Sequence, residues 1–254
     1  MARLTAFMPA LVALIFGSCG ATHAQMLDGA CQPREYRLVL DVGHTPEASG
    51  ATSARGVSEY AYNTKLAEYI AETLTKNGFT KTVVIKSHGI GGEQLRSRTL
   101  NANNLHPDLL ISIHHDDAQP VFHEHWMFEG ADREFSDRFS GYSIFVSRKN
   151  ARFDKSLAAA KLLGAALQKE GLLFSAHHAA DIFGERRALI DPKLGVYLYD
   201  NLYLLRYSAA PAILLEAGVI VNRIEELAVT SPEGKRQISD AILSAARQLC
   251  HGGE

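Results

Sequence analysis

Five short apolar runs punctuate this chain: "YRLVLDV" at 36–42, "KTVVIKS" at 81–87, "DLLISIH" at 108–114, "YSIFVS" at 142–147 and "PAILLEAG" at 211–218. Each is too short for a helix and nearly continuous in its apolar character, the pattern of a strand buried on both faces. The stretches between them carry helical spacing. In "NTKLAEYIAETLTKNGF", Leu66, Ile70 and Leu74 share a face and Asn77-Gly78 supplies the stop. Further helices are expected over 92–104, 155–170 and 235–249. Strand alternating with helix predicts an α/β fold: one domain, a mixed, mostly parallel sheet, and helices on both faces.

Two segments break the alternation. Residues 116–141, "DDAQPVFHEHWMFEGADREFSDRFSG", follow a strand without steady periodicity and read as a long loop or partly helical insertion, a natural lid for a cleft. Residues 172–200 are similarly irregular and could form a second wall.

The first two dozen residues fall outside this pattern. Arg3 precedes the apolar run "LTAFMPALVALIFG" and the small residues ending "ATHA", which reads as a secretory signal peptide over 1–24 and leaves 25–254 as the mature domain. Pro9 and the shortness of the run argue against a membrane span. "FGSCG" has the outline of a lipoprotein site at Cys19, but Phe16 stands where such sites carry leucine. Export makes a disulfide between Cys31 and Cys250 the expected state; the alternative is two unrelated buried thiols. With 26 Lys and Arg against 28 Asp and Glu, no charge excess recommends nucleic acid or anionic lipid as a partner.

In open α/β sheets ligands bind at the carboxyl ends of strands. His44, His114 and Glu216 all fall there, and Glu59 stands at the start of a helical pattern. Singly each has an ordinary explanation: a loop histidine held by hydrogen bonds, or an acid favoured by a helix's first turn. Together, two imidazoles and two carboxylates at one sheet edge are suited to a metal, and His, Glu, His is a ligand type of catalytic zinc with an open position.

The residues also carry a resemblance. "LDVGH", "GVSEY", "LRSRTLNANN", "PDLLISIHH" and "LYLLRYSAAPAILLEAGVIVNRIEE" follow one another in the order seen in zinc-dependent N-acetylmuramoyl-L-alanine amidases, over about residues 36–226. The resemblance implies that His44, Glu59 and His114 hold Zn2+ and that Glu216 is the catalytic carboxylate. It also implies peptidoglycan as substrate, a periplasmic location, and a protein activator as a potential partner. Its nearest competitors are a zinc peptidase cutting another cell-wall peptide bond and a blocked or non-catalytic wall-binding protein of the same fold. This chain departs from the family where His115, Asp116 and Asp117 follow His114 in place of Ala-Asn. Strand alternation should turn His115 away from His114 and leave it the second choice as ligand.

Other residues have narrower readings. His123 and His125 in "HEHW" are expected to be solvated. Glu124, Glu129 or Glu134 could reach the open metal position in a closed state. His177 and His178 could line the cleft or stabilise an oxyanion. Arg98 is expected to bridge helix to sheet, and Asp41 either to orient His44 or to end a ladder.

Overall fold

The computed structural model describes residues 1–2 and 31–252; the expected signal peptide and Cys19 lie outside the described residues. In chain order the elements begin with β1 (Leu38–Val42), α1 (Glu59–Lys76), β2 (Val83–Ile85), α2 (Gly91–Asn104) and β3 (Leu109–Asp116). They continue with β4 (Glu124–Phe128), β5 (Ala131–Phe135), β6 (Ser143–Val146), α3 (Phe153–Lys169), β7 (Leu189–Asp191) and β8 (Val196–Leu198). The last are α4 (Tyr203–Tyr207), β9 (Ala212–Val219), α5 (Glu225–Thr230) and α6 (Pro232–His251).

Seven strands form one sheet in the order β2-β1-β3-β9-β6-β8-β7. The β2, β1, β3 and β9 strands run parallel, while the β6–β9 and β7–β8 pairings are antiparallel. Alternation along β1 divides the core. Leu38, Leu40 and Val42 pack with Leu66, Ile70 and Leu74 of α1, Leu163 of α3 and Ile242 of α6. Val39 points the other way, into a second cluster with Ala102 of α2 and Leu204 and Leu205 of α4. Helices therefore cover both faces, as the sequence pattern requires, and each fully buried Leu or Ile contributes about 1.5–3 kcal/mol relative to exposure.

One polar group is embedded in this core. Arg98 donates from Nε and Nη2 to the two oxygens of Asp41 at 2.6 and 2.5 Å, and Ser112 Oγ donates to Asp41 Oδ2 at 2.6 Å. The fork ties α2 to β1 and β3. Asp41 is thus spent on Arg98 and Ser112 rather than on His44.

The two irregular segments contain more regular structure than expected, and 172–200 supplies His178, Glu185, Arg187 and Tyr199 to a wall of the cleft, as expected. Within 116–141 the structure places a single 3-10 turn at Pro120–Phe122, as a partly helical insertion would have, and then the β4–β5 hairpin, which the sequence pattern did not suggest. Glu129 and Gly130 both have positive φ, 51° and 79°, the requirement of a tight two-residue hairpin turn. Within 172–200, β7 and β8 extend the main sheet.

Cys31 and Cys250 are joined by a disulfide across a sequence separation of 219 residues. Among the described residues no helix is long and apolar enough to cross a membrane.

Candidate metal centre and cleft

Three elements deliver the first constellation. His44 follows the end of β1, Glu59 opens α1 behind the N-cap Ser58, and His114 lies near the end of β3. His44 Nε2 lies 2.8 Å from Glu59 Oε2, and His114 Nδ1 lies 3.0 Å from Glu59 Oε1. One donor atom from each residue falls within 4.8 Å of the others.

Backbone geometry is specific to this arrangement. His44 itself adopts φ 67°, a left-handed conformation uncommon outside glycine. Gly43 serves space rather than the turn: a Cβ there would stand 2.6 Å from the His114 ring. At Gly50 (φ +77°) a Cβ would stand 2.3 Å from Glu59 Oε2 and 2.6 Å from the His44 ring. Two glycines thus leave room for two imidazoles and a carboxylate to converge.

Glu59 is nearly out of solvent, which alone would raise its pKa. Hydrogen bonds from His114 and His44 overcome that and hold it well below the usual range. Ala51 N, His115 N and Asn63 Nδ2 also donate to its oxygens. Burial lowers the pKa of His114, favouring the neutral ring that a metal needs. A fixed anion between two imidazoles is the donor chemistry of a divalent zinc site, so the residues present fit that ion.

Glu216 pairs in register with His114 across β3 and β9 and faces the same cleft. Its Oε2 is buried without a hydrogen-bond partner. Burial, then the charges of Asp116 and Glu59, raise its pKa well above the usual value. The cleft, about 400 Å³, is lined by His44, His114, Asp116, His178, Arg187 and Glu216 among others.

His115 is not part of the constellation. Its Nδ1 lies 2.8 Å from Asn63 Oδ1, and burial lowers its pKa to about 4. His123 departs from expectation: it is held between Asp117 and Glu134 at 2.9 and 3.0 Å and is only 10% exposed, whereas His125 is exposed. Glu134 is engaged by His123, and Glu124 and Glu129 are exposed; none of the three lines the cleft. The first residues of the 116–141 segment, Asp117 to Pro120, do form part of its wall.

The sequence reading did not single out Asp116 or Glu185 as site residues. Asp116 Oδ2 lies 2.8 Å from His178 Nε2, whose Nδ1 lies 2.8 Å from Glu185 Oε2. Burial alone would lower the His178 pKa, but Asp116 and Glu185 raise it to about 9. The adjacent "HHDD" and "HHAA" were the available signals, and only the fold brings them together.

A family model for N-acetylmuramoyl-L-alanine amidase (Amidase_3) matches residues 38–248. The chain belongs to this family. Among relatives, it is 26% identical over 216 residues to the probable cell wall amidase LytH of Staphylococcus saprophyticus, covering 84% of this chain and 58% of that protein. It is 25% identical over 222 residues to a putative N-acetylmuramoyl-L-alanine amidase of Buchnera aphidicola, covering 83% of this chain and 94% of the relative. The chain thus spans little more than half the length of the LytH relatives it matches. In fold it is similar to the amidase Ami1 of Mycobacterium smegmatis, with TM-score 0.65 at 20% identity, covering 86% of this chain and 98% of that one. It is also similar to the CwlD amidase of Clostridioides difficile, solved in complex with the GerS lipoprotein, with TM-score 0.56 at 19% identity, covering 86% of this chain and all of that one (100%). These amidase-family domains share the α/β architecture described above.

Proposed function

We propose that this chain is a zinc-dependent N-acetylmuramoyl-L-alanine amidase that hydrolyses the amide between N-acetylmuramic acid and the L-alanine of the stem peptide. The observation that carries this reading is the convergence of His44, Glu59 and His114 beside a buried, unpartnered Glu216 oxygen in one cleft. His44, Glu59 and His114 hold the ion. Zinc bound there supplies Lewis-acid polarisation of a carbonyl and acidifies water at neutral pH.

The chain's own residues do the rest. Asn63 and the Ala51 and His115 amides fix the Glu59 carboxylate where the two rings converge. Glu216 Oε2 takes a proton from the attacking water, and its burial beside Asp116 and Glu59 favours the proton-loaded form. That proton passes to the departing L-alanine nitrogen, leaving a carboxylate on the lactyl group and a free amine on the peptide.

On this reading residues 1–24 are an export signal, residues 25–254 work in the periplasm on peptidoglycan, and a protein activator is a further expected partner. Membership of the amidase family and the Cys31–Cys250 bridge support extracytoplasmic action. N-terminal sequencing of the exported protein tests the cleavage point. Mass analysis of digested sacculi tests the bond: free peptides beginning at L-alanine with intact glycan support the amidase, and cuts within the peptide support a peptidase instead. A zinc-loaded chain that releases neither would mark a binding protein.

A further inference from the structure

The residues Asp116, His177 and His178 form a second cluster, of which the proposed hydrolysis draws only on the charge of Asp116. A 3-10 turn at His177–Ala179 aims consecutive imidazoles at one carboxylate oxygen: His178 Nε2 lies 2.8 Å and His177 Nε2 3.3 Å from Asp116 Oδ2. All three residues are buried, and their donor atoms lie within 4.8 Å of one another.

The far side of each ring is already occupied. His177 Nδ1 lies 2.7 Å from Ser175 Oγ, and His178 Nδ1 lies 2.8 Å from Glu185 Oε2. Glu185 is in turn fixed by donation from Gln119 Nε2 at 2.7 Å and Arg187 Nη1 at 2.6 Å. Hydrogen bonds on the remote nitrogen that orient a ring and set its tautomer are the usual support of metal-binding histidines. Both Nε2 atoms are thereby left for whatever lies between them and Asp116.

An alternative without metal is a His178 imidazolium shared between Asp116 and Glu185. That arrangement accounts for His178 but not for its neighbour. His177 Nε2 is buried, its side chain 1% exposed, and has no well-aligned hydrogen bond, with the Asp117 backbone and Asp116 Oδ2, at 3.3 Å, near it. Its ring lies 3.9 Å from that of His178, centroid to centroid, so charging both would set like charges in contact.

We propose that Asp116, His177 and His178 are a second binding site for a divalent transition-metal cation of the zinc class, beside the cleft. Donors about 2.0–2.2 Å from zinc in a tetrahedral shell stand about 3.3 Å apart; His177 Nε2 and Asp116 Oδ2 are 3.3 Å apart, and His178 Nε2, at 2.8 Å, must move outward to admit an ion. Asp116 and His178 line the cleft and give an ion its way in. The site stands whether or not the first constellation holds zinc.

The experiment counts ions. The disulfide-intact chain is stripped with chelator, equilibrated with Zn2+, desalted and assayed for zinc per chain by atomic emission. The parent should retain two equivalents; His44→Ala with His114→Ala should retain one, and His177→Ala with His178→Ala should also retain one. Because the buried pair contributes to packing, the deciding readouts leave it intact: the parent count, the count of the His44/His114 variant, and anomalous scattering at the zinc edge in parent crystals, with a peak expected between Asp116 and the two rings. A parent with a single equivalent whose His44/His114 variant holds none overturns the second site, as does a second anomalous peak elsewhere. If parent and His44/His114 variant each hold one equivalent, the second site stands and the first fails; a parent that holds none overturns both.

Discussion

The two imidazole–carboxylate clusters of the cleft are built in opposite ways. In the first, three separate elements contribute one residue each, and the central carboxylate, Glu59, comes from a helix start and is braced by backbone amides. In the second, the central carboxylate, Asp116, comes from the last residue of β3 and both rings come from one turn, braced by side chains. A site assembled at strand and helix ends inherits the rigidity of the sheet. One carried on a short turn depends on its neighbours' side chains, so it should be the easier of the two to dismantle.

The sharpest break is at Glu216. Glu216→Gln should keep the first cluster's metal while lowering peptide release from sacculi by about 10²–10⁴-fold, the range of a positioned proton carrier. Parallel metal and turnover assays check both halves.

The sheet beneath the first cluster comes next. Arg98→Ala leaves the fully buried Asp41 carboxylate without its cation and should cost about 3–5 kcal/mol, read as a lower denaturant midpoint. The ion pair beneath His178, Arg187 with Glu185, is less buried, its guanidinium 20% exposed against 5% for Arg98.

On the second cluster's side, burial raises the pKa of Glu225 to about 7, against hydrogen bonds from the Gly141 and Val219 amides, with Asp116 adding to the rise. Between roughly pH 4.5 and 7 the folded chain keeps a proton that the unfolded chain has lost, so stability falls as pH rises through that window. Glu225→Gln should remove its own share of this slope, leaving those of Glu216 and His178, and be more stable than the parent at pH 8 by on the order of 3 kcal/mol. Thermal unfolding at pH 5 and pH 8 gives the sign.

The smallest effect is a change of fit. Gly43→Ala pushes a methyl into the His114 ring and should weaken zinc binding by about 10–100-fold, as disturbed ligand supports do, with the sheet intact. Competition with a chromophoric chelator measures it, and a similar loss at the second cluster would mean the two are not independent.

The amino-acid pattern revealed the strands of the parallel half because each is a short, nearly continuous apolar run. It did not reveal β7 and β8, three residues apiece, whose pairing depends on β6 already being in place. The β4–β5 hairpin was obscured because its strands carry exposed acids and histidines among the aromatics, and its Glu-Gly turn lacks the more familiar Asn or Asp. His44, Glu59 and His114 stood out by position at or near element ends, and Glu216, inside β9, as the one acid in an apolar run. The pairing of Asp116 with His177 and His178 is a long-range contact without a local mark, and the left-handed backbone of His44 is likewise visible only once Gly43 is seen packed against an imidazole.

The Cys31–Cys250 bond closes the chain into a covalent ring that encloses every strand and nearly the whole of the last helix. A single proteolytic nick inside that ring, at the exposed hairpin tip for instance, would open a circle rather than release a fragment. The cut protein should migrate as one species until thiol is added and as two afterwards, so the bridge makes a single cut survivable.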